Sequence, residues 1–213
     1  MKKIFLMLFL ICSAGFSFAQ SARYESAMKS NIAQLDSLMT KSNYDELANN
    51  FIRIGDAEKT QWLPYYYAAF CYATDAMSEK DNSKKDAIAD KADVQITKAE
   101  SILGKENSET DVIKAMIATA HMTVDPQNRY MTYGSAISDN IQKAEKLDPT
   151  NPRPVLFEAE NKFFTPEAYG GGKDVAKPLF DTASKLFDNF KPETDLSPNW
   201  GKSTLQYFLS QYK

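Results

Sequence analysis

Two side chains of this sequence have the types needed for nucleophile–base chemistry, a thiol and an imidazole. His121 is the single histidine, and Cys71 is one of two cysteines. A thiolate activated by an imidazole supports acyl transfer, but that chemistry needs a third, orienting group and a recognisable local motif. The sequence contains no C-x-x-C, H-E-x-x-H or paired-histidine spacing of the kind that holds zinc. It therefore predicts no catalytic residue, no metal site and no cofactor.

A glycine run before a lysine offers a second possible chemistry, which is phosphate binding. Gly170, Gly171 and Gly172 precede Lys173, as in part of a phosphate-binding loop. Such a loop follows a strand and carries serine or threonine after the lysine. Here Asp174 occupies that position, and apolar residues at helical spacing precede the glycines. The favoured interpretation is a hairpin loop in which Asp174 caps the next helix.

The N-terminus has the three parts of a secretory signal peptide. Two lysines precede an apolar run over residues 4–12, and small residues lead to Ala19. The run is too short for a membrane-spanning helix, which needs ~20 apolar residues. We expect residues 1–19 to be the signal peptide and residues 20–213 the mature domain, with a periplasmic or secreted location. Lipidation at Cys12 is the alternative, but the residue before it is larger than a lipidation signal requires.

Charge and composition narrow the possible partners. The whole chain has a net charge of −3, and without the signal peptide 23 basic residues stand against 28 acidic ones, a net charge of −5. This acidic balance argues against nucleic acid and anionic membranes, because both select basic surfaces. Glycine and proline are sparse, at 8 and 9 residues, and apolar side chains recur at helical spacing. The sequence predicts one all-α domain with no transmembrane segment after signal cleavage.

Apolar residues recur at i, i+4 and i+7 in four places along the chain. The clearest stripe is Ile137, Ile141 and Ala144, with Pro149 closing the pattern. The other three stripes are Leu47, Phe51 and Ile54; Ala92, Ile96 and Ala99; and Ala176, Phe180 and Ala183. An aromatic–small–aromatic pattern, at Tyr65, Ala69 and Tyr72, lies upstream of the stripe that begins at Ala92.

These patterns resemble the tetratricopeptide repeat (TPR) family, whose unit is a pair of antiparallel helices. The run from Ile141 to Pro152 is the most specific part of the resemblance. The resemblance implies an all-α, TPR-like solenoid of about four antiparallel helical hairpins plus a C-terminal capping helix. Residues 22–40 would form the first helix, and the capping helix would begin at Ser197. The stripes are spaced more widely than the family period of ~34 residues. We expect the extra residues in three loops, at 78–85, 124–133 and 164–172.

The TPR register also predicts a concave surface for a partner. From Trp62 to Tyr72, six of eleven residues are aromatic, and one face of a helix can bury only part of them. The predicted partner-binding residues are Tyr66, Phe70, Ile113, Ile117, His121, Leu156, Glu160, Phe163 and Phe164. Two arrangements stay open. The groove is either exposed, or it is filled by the stack's own side chains or covered by the first helix.

The resemblance favours an exported, non-enzymatic scaffold that binds a protein or peptide partner in this groove. The alternative is a periplasmic module that binds a small ligand and assists a transporter. Thr165-Pro166 followed by Tyr169-Gly170-Gly171 is similar to a pattern in periplasmic TPR proteins of that kind. An open groove would favour the first hypothesis, and a closed aromatic pocket would favour the second.

Overall fold

The structure is a computed structural model that describes residues 22–35 and 42–212. The predicted signal peptide, residues 1–19, lies outside the described residues. Within them every regular element is a helix, which confirms the all-α prediction. The helices are α1 (residues 22–32), α2 (Tyr44–Glu58), α3 (Leu63–Ser78), α4 (Asn82–Leu103), α5 (Ser108–Val124), α6 (Pro126–Arg129), α7 (Ser135–Leu147), α8 (Pro152–Phe164), α9 (Lys173–Asn189) and α10 (Lys202–Ser210).

Successive helices pack side by side along the chain. In the N-terminal half α3 is central, because it contacts α2, α4 and α5. Further on, α5 contacts α7 and α8, α8 packs against α9, and α10 docks on α9. This order of contacts is what a chain of helical hairpins produces. The superhelical geometry of a TPR solenoid stays a prediction.

The central helix α3 is apolar on every side. Ten consecutive residues, from Pro64 to Ala73, are buried. A helix at the surface shows one apolar stripe, whereas a helix enclosed by its neighbours is apolar all round. Pro64 stands in the first turn, where its missing N–H costs no internal hydrogen bond. The aromatic segment predicted to split between core and groove is therefore a core helix.

The apolar stripes face the interior as predicted. Ile137, Ile141 and Ala144 are 7%, 5% and 0% exposed. Every member of the other three stripes is also buried except Ile54, which is half-buried. Side chains three and four residues apart share one side of a helix, so each stripe gives its helix one buried face.

Polar side chains close the starts of three helices. Asp81 caps α4, and Asn107 forms a reciprocal pair with Thr110 at the start of α5. Asn151 accepts a hydrogen bond from the N–H of Arg153, at 3.0 Å, at the start of α8. Each side chain satisfies an amide that has no partner inside its helix. Each cap marks the start of a new helix, so consecutive helices can follow one another after connections of only a few residues.

All three predicted loops are partly helical, and the one at 164–172 contains a 3-10 turn at Glu167–Tyr169. The predicted loop at 124–133 contains α6 and leads into a π-helical turn at Tyr130–Gly134, which continues into α7. The predicted loop at 78–85 is shorter than expected, because α4 begins at Asn82. The proline in this region, Pro126, stands in the first turn of α6, where it starts a helix and does not interrupt one.

The C-terminal capping helix begins later than predicted, at Lys202 and not at Ser197. Gly201 precedes it with φ of 106°, a backbone conformation that favours glycine. A Cβ at Gly201 would lie 2.9 Å from the Phe187 ring and 3.0 Å from Leu156. The backbone packs closely against the core at Gly201, so α10 begins only at the next residue, Lys202.

The glycine run between α8 and α9 serves close packing. Gly171 is buried, and a Cβ there would lie 2.3 Å from the carbonyl oxygen of Thr165. The predicted hairpin loop is therefore present, but the predicted cap is wrong. Because α9 begins at Lys173 with no capping side chain, Asp174 lies within its first turn.

Candidate functional site

The predicted concave groove is filled by the segment between α9 and α10. The Trp200 ring lies 4.5 Å from the Phe70 ring, centroid to centroid, and its indole N–H donates to the Tyr66 hydroxyl at 2.8 Å. The Tyr67 hydroxyl donates to the Leu196 carbonyl at 2.8 Å. Tyr66 is 0% and Phe70 is 9% exposed. The sequence left open whether the groove is exposed or filled. At these residues it is filled, and the segment between α9 and α10 fills it.

A buried ion pair holds this filled surface together. The Nε of Arg153 in α8 lies 2.9 Å from both carboxylate oxygens of Glu109 in α5. The Tyr66 hydroxyl and the Asn151 carboxamide also donate to Glu109, each at 2.9 Å. Arg153 is 1% exposed, and its guanidinium lies 4.5 Å from the Phe190 ring centroid. A buried charge persists only when it is paired and hydrogen-bonded. This network meets that condition, joins α3, α5 and α8, and contacts the C-terminal segment at Phe190.

Three more predicted groove residues belong to the core. Ile113, Ile117 and Leu156 are 0%, 5% and 1% exposed. Their burial leaves no open apolar surface at these positions. A role for them in contacting a partner stays a prediction that the burial does not favour.

His121 faces α4 and not the predicted groove. Its Nδ1 lies 2.8 Å from Asp86 Oδ1, and its ring stacks on Tyr133 at 5.2 Å between centroids. Arg129 donates to both oxygens of Asp86, at 2.6 and 2.8 Å, and with help from His121 it lowers the pKa of Asp86 to about 2. Cys71 is fully buried, and burial raises the pKa of its thiol. The thiol is therefore not an available nucleophile for this imidazole.

One group of acidic side chains has the geometry of a possible cation site. Atoms of Glu100, Glu106 and Asp111 lie within 4.8 Å of one another. The Lys114 ammonium lies 2.6, 3.1 and 3.5 Å from these three carboxylates. Since the lysine already supplies the positive charge, this cluster joins α4 and α5 and gives no indication of a metal.

Phe163 and Phe164, at the end of α8, begin a group of rings that reaches the surface. The aromatic cluster consists of Phe163, Phe164, Phe180, Tyr207, Phe208 and Tyr212. The buried ring of Phe208 has its centroid 5.0 Å from Phe163, 5.8 Å from Phe164 and 5.3 Å from Tyr207. Phe164 is 71% exposed and Tyr207 is 61% exposed. Both pack edge-on against Phe208 and form an exposed apolar surface where α8 meets α10.

Two lysines of α9 border the aromatic cluster. The Lys173 ammonium lies 5.6 Å from the Phe163 ring centroid, and that of Lys177 lies 5.7 Å from the Tyr212 ring centroid. The Tyr212 hydroxyl donates to the Lys173 carbonyl at 2.8 Å, which fixes α9 against the chain end. Lys177 pairs with Asp181 at 2.6 Å, whereas Lys173 forms no ion pair within the described residues. The Lys173 ammonium is therefore not engaged by a carboxylate partner at hydrogen-bond distance in the described part of the chain.

Glu160 lies one turn before Phe164 on the same side of α8. It is half-buried and forms no ion pair or hydrogen bond in the part of the chain that the structure describes. Burial raises the pKa of its carboxyl to about 8. The raised pKa favours the uncharged, protonated carboxyl near neutral pH.

Glu160 makes the stability of the fold depend on pH. Because burial raises its pKa from 4.5 to about 8, the folded state binds the proton more tightly, and stability falls as pH rises between these values. We expect Glu160→Gln to reduce this loss by roughly 1–2 kcal/mol, since one pKa unit corresponds to about 1.4 kcal/mol and the group is partly exposed. Urea denaturation at about pH 5 and about pH 8.5 measures it. Glu158→Gln, on the same helix, is the control; an equal effect of both substitutions would contradict the assignment.

The aromatic cluster was only partly predictable. The sequence pattern indicated Phe163 and Phe164, but it placed them in a concave groove that is filled. Tyr207, Phe208 and Tyr212 were not predicted as site residues. The available signal was the adjacency of Tyr207 and Phe208, because neighbouring residues point to different sides of a helix and a helix with a single buried face exposes one of them.

Within the described residues the protein is all-helical, and it has an exposed aromatic surface where α8 meets α10. Exposed apolar patches of this kind mark sites of interaction. Among the described helices, none is long and apolar enough to cross a membrane. No protein-family model and no curated protein matches this chain.

A solved structure, the HusA haemophore from Porphyromonas gingivalis, is similar to this chain. It is 32% identical in sequence, with a TM-score of 0.77, and the match covers 89% of this chain and 92% of that chain. Identity of this size over most of both chains shows common descent. The chain belongs to the family of the HusA haemophore.

Proposed function

We propose that this chain is an exported, non-enzymatic carrier that binds haem on the aromatic cluster. The observation that carries the proposal is the pair of exposed rings, Phe164 and Tyr207, beside the unpaired ammonium of Lys173. The relative is a haemophore, which makes haem the favoured ligand. The signal-peptide pattern of residues 1–19 supports export.

The chemistry of haem matches this surface. Haem is a flat, apolar macrocycle with two carboxylates on one edge. Aromatic side chains stack on flat π systems and bury apolar area against them. An ammonium at the border of the rings pairs with a carboxylate while the macrocycle lies on the aromatic surface. Lys173 suits this role better than Lys177, whose charge Asp181 already balances.

Titration of the mature chain, residues 20–213, with haemin tests the proposal. We expect a saturable change in the haem absorption spectrum with one haemin per chain. Absence of saturable binding would overturn the proposal.

Lys173→Gln is expected to weaken haemin binding about three- to tenfold, because one partly exposed charge-assisted contact contributes roughly 0.5–1.5 kcal/mol. Because Lys173 is exposed, the substitution should leave the fold intact. The matched control is Lys185→Gln on the same helix, which also removes an exposed ammonium. Equal affinities for both variants would mean that carboxylate pairing does not occur at Lys173.

A protein partner, hypothesised from the sequence, is the second candidate function. It is favoured by a separate exposed pair, Tyr130 at 63% and Met131 at 82%, on the π-helical turn before α7. Turns of this type are frequent at functional sites. In that case Tyr130→Ser with Met131→Ser abolishes partner binding and leaves haemin binding unchanged.

A further inference from the structure

A cavity between α1 and α2 carries a chemistry different from that of the aromatic cluster. Its volume is about 860 Å³, within the range of small-ligand sites. Its polar lining includes Arg23, Tyr24 and Asn31 from α1 and Asn50, Arg53 and Glu58 from α2. None of these residues belongs to the aromatic cluster, so the cavity is a separate candidate site.

Two guanidinium groups from different helices line the same space. Arg23 forms no ion pair or hydrogen bond within the described residues. Arg53 donates to the carboxamide oxygen of Asn50, and no ion pair of Arg53 is present in that part of the chain. The lining holds two guanidinium groups and the carboxylate of Glu58, and the Glu25 carboxylate lies close enough to act on Tyr24. Guanidinium groups bind carboxylates with two parallel hydrogen bonds, which makes anions the favoured ligands.

Tyr24 adds a buried donor to this lining. It is 8% exposed, and its hydroxyl is buried without a hydrogen-bond partner. Burial, with the nearby carboxylates of Glu58 and Glu25, raises the pKa of Tyr24 to about 12, so the hydroxyl stays protonated at neutral pH. A buried donor without a partner is destabilising, and an acceptor oxygen of a ligand would remove that cost.

We propose that the α1–α2 cavity binds a small organic polycarboxylate. Arg23 from α1 and Arg53 from α2 pair with carboxylates of the ligand, and the Tyr24 hydroxyl donates to a ligand oxygen. The Asn50 carboxamide oxygen already accepts from Arg53, so its N–H groups supply further hydrogen bonds to the ligand. The volume is larger than an inorganic anion needs, so it leaves room for an organic molecule with several carboxylates. The carboxylates of haem itself are the other source of this chemistry, and the experiment separates the two.

The test is calorimetric titration of the mature chain with citrate at low ionic strength, where charge pairing is least screened. We expect one citrate per chain and no binding of triethyl citrate, which lacks the charges. Arg23→Gln and Arg53→Gln should each weaken citrate binding about tenfold or more. Lys202→Gln removes an exposed cation elsewhere and should change nothing.

Tyr24→Phe separates a binding role from a structural one. It removes only the hydroxyl, so the free protein should melt at the same or a higher temperature while citrate binding weakens. Absence of citrate binding, or equal affinity in the parent and both arginine variants, overturns the proposal. Haemin binding should be unaffected by Arg23→Gln and Arg53→Gln. If these variants lose haemin binding together with citrate binding, the cavity holds the carboxylates of haem and the independent site is refuted.

Discussion

Replacing both Phe164 and Tyr207 with serine is expected to weaken haemin binding about 30- to 100-fold. Each ring offers apolar area and an aromatic contact, so the pair contributes roughly 2–3 kcal/mol, and 1.4 kcal/mol is a factor of ten in affinity. Both side chains are mostly exposed, at 71% and 61%, so their loss leaves the interior intact. Absorbance titration with haemin measures the change.

Val94→Ser is the matched control for this double substitution. Val94 is an apolar residue of α4 that is 62% exposed and lies outside the aromatic cluster. The Val94→Ser variant should bind haemin as the parent does. The melting temperatures of this variant and of the double variant should stay near that of the parent. If the double variant keeps full affinity while Lys173→Gln also has no effect, haem binds elsewhere on the chain. If no form of the protein binds haemin, the proposed function itself fails.

Glu109→Gln is expected to lower the free energy of unfolding by roughly 3–5 kcal/mol, the cost of removing one partner from a buried ion pair. The substitution keeps the shape of the side chain but leaves the Arg153 guanidinium, 1% exposed, without its counter-charge. For a domain of this size the melting temperature should fall by on the order of 10 °C. Urea denaturation and thermal melting followed by circular dichroism measure both quantities.

Glu46→Gln is the control for this loss, because it removes an exposed carboxylate from α2 without touching a buried partner. It should change stability by less than about 0.5 kcal/mol. If Glu109→Gln melts like Glu46→Gln, the Glu109–Arg153 pair does not hold the C-terminal segment against α3. The filled groove would then lack the support that the network gives it.

The sequence alone was sufficient for most of the helices and for most of their buried faces. Apolar spacing at i, i+4 and i+7 predicted the buried positions of Ile141, Ala144 and Phe180, which are 5%, 0% and 0% exposed. This information is local, since the geometry of a helix places such residues on one side whatever packs against them. Local spacing did not predict that α10 begins at Lys202. That boundary depends on the close contact of Gly201 with Phe187, which belongs to another helix, α9.

The candidate site was predictable only in part, for the same reason. Phe163 and Phe164 stood out as neighbouring aromatic residues at the end of a helix. Their surroundings were not visible, because the cluster combines α8 and α9 with Tyr207 and Phe208 of α10. A periodic pattern shows that one face of a helix must be covered, but it does not identify the element that covers it.

By itself, then, the sequence determined an all-helical chain, the buried stripe of each repeated helix and a signal-peptide pattern at residues 1–19. Only the tertiary structure decided that the predicted groove is closed, because Trp200 reaches Tyr66 across 134 positions of the chain. It also decided which aromatic rings stay exposed. Helical spacing follows from contacts within a few residues, whereas these outcomes depend on segments that meet only after the chain has folded.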